Sequence, residues 1–140
     1  MINFFFEDTK QVDFKRRKLK ENIHFLLKNE GFICQEINII LCTDEYLLAL
    51  NERFLKHDYY TDIITFDNSQ GNLITGELYI SLDRVKENAV KFNVKVEIEL
   101  YRVIIHGVLH LAGYKDKSSL EKKLMTEKED YYLLILQKSI

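Results

Sequence analysis

Apolar residues recur along this chain with two different periods, and the places where the period changes mark out its elements. Ile2 to Phe6 is a short apolar run that reads as a first strand. From about Phe14 to Glu30 the spacing becomes helical, with Leu19, Ile23, Leu26 and Leu27 on one face and Gly31 placed to end the helix. Ile33 to Cys42 is apolar and β-branched apart from Gln35, Glu36 and Asn38, as expected of a strand buried on most of both faces. Thr43 stands where an N-cap belongs. Asp44 and Glu45 behind it suit the positive end of a helix running to about Phe54.

Thr61 to Phe66 and Leu73 to Ser81 are β-rich runs joined by Asp67-Asn-Ser-Gln-Gly-Asn72, a turn-forming cluster, so a hairpin is expected. A helix follows from about Leu82 to Phe92. Val96 to Ala112 is the most apolar helical stretch; Ile98, Val103, Ile104, Val108, Leu109 and Leu111 cover more than one of its faces, which predicts a path through the core to Gly113. Ser118 and Glu121 have capping-box spacing and open a last helix in which Leu120, Leu124, Tyr131 and Leu134 share a face. Strands and helices are interspersed without a strict βαβ repeat or a Gly-rich phosphate loop. The fold class this predicts is α+β, a small mixed β-sheet packed by helices.

At 140 residues the chain is the length of one domain, and with 46% hydrophobic residues it can bury a core without disulfide or metal staples. It contains no proline and five glycines, and no linker or repeat divides it. Twenty basic and 22 acidic side chains leave a net charge of -2, which excludes a basic coat for nucleic acid; any such contact must use a local patch. Cys34 and Cys42 fit neither a CxxC pair nor a disulfide framework and read as small core residues in a reducing compartment. The N-terminus lacks a basic segment and turns acidic at Glu7, unlike a signal peptide, and no apolar run approaches the ~18 residues of a membrane span. A soluble, cytoplasmic protein is expected.

The stretch that carries chemistry is His106-Gly-Val-Leu-His110-Leu-Ala-Gly113-Tyr-Lys-Asp116. Histidines four apart on a helix stack on one face within reach of a single ion. A third ligand needs the chain to leave the helix and fold back, which Gly113 permits, and Asp116 then supplies an oxygen. The spacing parallels the metzincin pattern HExxHxxGxxH with a carboxylate in place of the last histidine. Two His and one carboxylate leave an open coordination position, as catalytic zinc sites do, and iron also uses this ligand set. Asp116 leaves the ion less net positive charge than three imidazoles would, hence a weaker Lewis acid. A lone histidine in an apolar helix is ordinarily a hydrogen-bonded core residue, a reading that two histidines at this spacing followed by Gly and Asp do not suit. A peptidase of this spacing uses a glutamate after the first histidine as its base; here that residue is Gly107.

At these residues the sequence resembles the YbeY family of rRNA maturation factors, metal-dependent single-strand endoribonucleases with the signature HGxLHLxGYDH. His106 and His110 match two of that family's zinc ligands, and Asp116 falls where its third, usually histidine, stands. Leu50-Asn51, Thr61-Asp-Ile-Ile-Thr-Phe66 and Gly76-Glu-Leu-Tyr-Ile-Ser81 resemble the family's LN, TDVLSF and GDIxIS segments in order. The resemblance implies one YbeY-like domain over residues 1–140, with a zincin-like metal site on a core helix and its following turn. It also implies zinc or another divalent ion as cofactor, and cleavage of single-stranded rRNA in maturation and ribosome quality control. The ribosome or its proteins would be partners. Where the family carries an arginine implicated in RNA handling, this chain has Leu55; Arg53, Lys56 and His57 are the nearby candidates for phosphate. Lys15, Arg16, Arg17, Lys18 and Lys20 form a second basic cluster, and Tyr59, Tyr60 and Tyr114 are candidates for stacking on unpaired bases. Two other function classes remain in play. The loss of the arginine at Leu55 suggests a ribosome-assembly factor with a structural metal, and a metallopeptidase is disfavoured by Gly107.

Overall fold

In the computed structural model, which describes residues 1–56 and 61–139, four strands pair in the order β1-β2-β4-β3. They are β1 (Ile2–Glu7), β2 (Ile33–Cys42), β3 (Ile63–Asp67) and β4 (Leu73–Ser81). β1 and β4 both run parallel to β2, and β3 runs antiparallel to β4 as the hairpin reading expects, so the sheet is mixed. In the turn between them the Ser69 N–H donates to Asp67 Oδ1 at 2.9 Å, an Asx turn of the kind Asp promotes.

Among the described residues five α-helices cover this sheet: α1 (Arg16–Asn29), α2 (Asp44–Leu50), α3 (Leu82–Lys91), α4 (Val96–Leu111) and α5 (Ser119–Ser139). α4 packs on β3 and β4, α1 packs on β2, and α3 and α5 flank α4. Together they bury Leu19, Ile23, Ile37, Leu78, Ile104 and Val108 completely. On the opposite face α2 makes a smaller cluster, with Leu47 against Cys42 and Ile64. Thr43 caps α2 by accepting from the Tyr46 N–H at 3.2 Å, and the helix then widens into a π-helical turn over Asn51–Leu55.

The capping box opens α5 as the spacing predicts: the Glu121 N–H donates to Ser118 Oγ at 3.1 Å, and the Ser118 N–H donates to Glu121 Oε1 at 2.9 Å. The face shared by Leu120, Leu124, Tyr131 and Leu134, however, is turned to solvent, Leu120 being 81% exposed. Met125, Glu129, Tyr132, Leu133 and Leu136 form the inward stripe instead. The core accepts a carboxylate in this stripe because Glu129 has partners waiting for it.

Candidate metal centre

Two glycines bring α4 close to the sheet. A Cβ on Gly107 would come within 2.7 Å of Ile63 Cδ1, and one on Gly76 within 2.7 Å of the Phe66 carbonyl oxygen and 2.8 Å of Leu111. Gly107 thus faces the sheet, while His106 and His110 line a cleft beside β3. At the end of α4 the Gly113 N–H bonds the His110 carbonyl at 3.0 Å and the Tyr114 N–H bonds the Leu109 carbonyl at 3.0 Å. This is a Schellman motif, and Gly113 adopts the φ of 98° that it requires. The reversal carries Asp116 back over the two imidazoles.

The result is a triangle of ligand atoms. His106 Nε2 and His110 Nε2 are 3.0 Å apart, and each is 3.3 Å from Asp116 Oδ2. Zinc bonds of about 2.0–2.2 Å place the corners of a tetrahedron roughly 3.3 Å apart or slightly more, so these three atoms fit one ion. Among the described residues this is the group of His, Cys, Asp and Glu side chains that can hold a metal.

The other ring nitrogens are already committed. His106 Nδ1 is 2.5 Å from Glu129 Oε2, and His110 Nδ1 is 2.9 Å from the Tyr114 carbonyl oxygen. A carbonyl can only accept, so Nδ1 of His110 carries the proton and Nε2 keeps its lone pair for the ion. Glu129 is itself held by Arg102 Nη1 at 3.2 Å, while Arg102 Nη2 reaches Asp130 at 2.8 Å. Burial pulls the pKa of His106 down, but the hydrogen bond to Glu129 and the charges of Glu129, Asp116 and Asp62 outweigh it and hold the imidazole above its ordinary value. The site attracts positive charge, whether proton or metal.

The triangle lies in a cleft of about 650 Å³ walled by β3, the π-helical turn and the segment after α4. Leu55, 42% exposed, lines this cleft, and Lys117 is the lysine that lines it among the described residues. Arg53 lies elsewhere, in a neighbouring depression with its guanidinium 5.2 Å from the Phe54 ring centroid, and Lys56 does not line the cleft. His57, Tyr59 and Tyr60 lie outside the described residues. Tyr114 is tethered by its hydroxyl to Glu30, at 2.6 Å. In the basic cluster of α1, Arg16 stacks on Phe4, Phe6 and Phe14, and Arg17 and Lys18 pair with Glu21, so much of that charge is locally engaged. Sequence reasoning missed Glu129, Arg102 and the Tyr114 carbonyl. A charged residue in register with Met125, Tyr132 and Leu136 was the available signal for the first.

The structure is thus an α+β domain whose core helix offers two imidazoles, and whose next turn offers a carboxylate, to one open cleft where they could hold a metal ion. The family model described as Endoribonuclease YbeY matches residues 4–137, and the chain belongs to that family. A Cytophaga hutchinsonii protein named Endoribonuclease YbeY is 50% identical over 130 residues, covering 92% of this chain and 91% of its own. One of the same name from Karelsulcia muelleri is 45% identical, covering 99% of this chain and 97% of its own. The solution structure of a Thermotoga maritima protein superposes with a TM-score of 0.71 at 32% identity, over 99% of this chain and 91% of that one.

Proposed function

We propose that this chain is a zinc-dependent endoribonuclease that cuts single-stranded ribosomal RNA during maturation and in ribosome quality control. It acts in the cytoplasm, with the ribosome or its proteins as partners. The observation that carries this reading is the triangle of two Nε2 atoms and one Oδ2 opening into a cleft, in a member of the YbeY family. His106, His110 and Asp116 hold the ion, which supplies Lewis-acid polarisation of a phosphoryl oxygen or of the attacking group. Glu129 and the Tyr114 carbonyl keep the imidazoles oriented with their lone pairs outward. Lys117 brings a cation beside Asp116 for a phosphate oxygen, the task that Leu55 cannot perform.

The openness of the site favours catalysis over a structural ion, because structural zinc is closed by four protein ligands. Gly107 points its α-carbon at Ile63 and Leu78, so no side chain there can serve as the base of a peptidase. The test is cleavage of an end-labelled RNA spanning the 3′ end of small-subunit rRNA by zinc-loaded wild type and by His110→Ala, purified identically. Cleavage by the wild type and its loss in the variant are expected. Equal cleavage by both would assign the activity to a contaminant and overturn the reading.

A further inference from the structure

Glu30, the C-cap residue that follows α1, is a carboxylate whose side chain is 12% exposed and lies far in sequence from the metal ligands. It accepts hydrogen bonds from the Tyr114 hydroxyl at 2.6 Å, from the Tyr132 hydroxyl and from Lys128 Nζ at 3.2 Å. Burial would raise the Glu30 pKa, yet these donors bring it below the ordinary carboxylate range, so the group is a charge held in place. Lys128 also stands 5.7 Å above the Tyr114 ring. Nothing in the metal triangle or its cleft uses Glu30 directly.

Tyr114 connects the two. Its carbonyl oxygen is the acceptor for His110 Nδ1, and two residues further on is Asp116. The segment from Gly113 to Ser118 is anchored at one end by the Schellman bonds and at the other by the capping box of α5. Between those anchors, the Tyr114 hydroxyl ties this segment to Glu30 at the C-terminal end of α1. We propose that Glu30 and Tyr114 are positioning residues for the metal centre: their hydrogen bond fixes the turn that orients His110 through its backbone acceptor and presents Asp116. This rests on the reading of His106, His110 and Asp116 as metal ligands.

The alternative is that Glu30 only ties α1 to α5 through Tyr132 and Lys128. Tyr114→Phe separates the two, since it removes a single hydroxyl and leaves the ring and the backbone carbonyl. Zinc affinity is measured by competition with a chromogenic chelator, alongside the melting temperature of each metal-free protein. Tyr114→Phe and Glu30→Ala are each expected to weaken zinc binding about tenfold or more, the range for residues that orient metal ligands. The double variant is expected to bind no more weakly than the worse single one, because both remove the same bond. Asn29→Ala is the control: Asn29 Nδ2 donates to the Tyr132 hydroxyl at 2.9 Å, in the same network but away from the turn, so stability falls and zinc affinity holds.

Wild-type affinity in a folded Tyr114→Phe protein would overturn the proposal, as would an equal loss in Asn29→Ala. If Tyr114→Phe and Glu30→Ala both fail to fold without metal, the network holds the fold and the proposal is also overturned. A wild type that binds no zinc would sink the metal reading itself, a result distinct from any of these.

Discussion

Glu99 is 5% exposed, one turn before Arg102 and two before His106 on the same side of α4. Burial raises its pKa; the Arg102 charge opposes this, and the carboxylates of Asp62 and Glu129 push it further up. Asp62 and Glu129 are also among the acids that hold His106 up, so one negative field acts on both residues with opposite consequences. It favours a cation at the histidines and penalises the ionised form of Glu99. A carboxyl with a raised folded pKa keeps its proton longer in the native state, and stability falls as pH climbs from the unfolded value through the folded one. Glu99→Gln should therefore melt higher than wild type at pH 7 to 8. That gain should shrink to nothing as pH falls into the ordinary carboxylate range, where both side chains are neutral. A melting difference that does not change with pH would refute this account of Glu99.

At the scale of elements, the contact between α4 and the hairpin sets where the histidines stand, and its two glycines differ in what surrounds them. A methyl group on Gly76 meets the backbone oxygen of Phe66, which cannot yield without distorting the pairing of β3 and β4. On Gly107 the nearest atoms it meets are the side-chain ends of Ile63 and Leu78, and replacing glycine inside a helix returns about 1 kcal/mol of propensity. Gly76→Ala should cost about 1–3 kcal/mol in denaturant unfolding, the usual range for overpacking, whereas Gly107→Ala should be close to neutral. Equal losses in the two variants would show that side-chain ends in this core are as unyielding as backbone.

The same scale shows what the sequence made legible. Leu19, Ile23, Leu26 and Leu27 gave α1 its inner face, the run from Val96 gave α4, and His106, His110, Gly113 and Asp116 gave the cluster of two imidazoles and a carboxylate, because each signal lies within one element or its adjoining turn. What escaped was contact between elements. Glu129 reaches His106 across 23 residues and Glu30 reaches Tyr114 across 84, and no spacing rule records such meetings. The inward face of α5 was obscured for the same reason: Glu129 interrupts its apolar stripe, while Leu120, Leu124, Tyr131 and Leu134 offer a more regular one that the fold leaves exposed. Arg53 and Lys56 were near the cleft in sequence, but the π-helical turn and the left-handed Lys56 after it send the chain past the cleft without placing either in its lining.

For the whole molecule, the question is whether the ion holds the fold together or is held by it. The main core joins side chains of α1, α3, α4 and α5 to the inner face of the sheet, and it is complete without the metal ligands. A chain of this length buries enough surface to fold on such a core alone. The His110 orientation and the Asp116 turn are likewise secured by hydrogen bonds within the protein. Chelation should therefore leave a folded protein that still melts cooperatively, unlike a zinc finger, which unfolds when its metal is removed. Zinc at 100 times its dissociation constant should add about 2.7 kcal/mol, roughly 10 °C in melting temperature for a domain of this size. His110→Ala should erase that increment while melting near the chelated wild type. If chelation instead abolishes the folding transition, the ion is structural, and the assembly-factor reading replaces the nuclease.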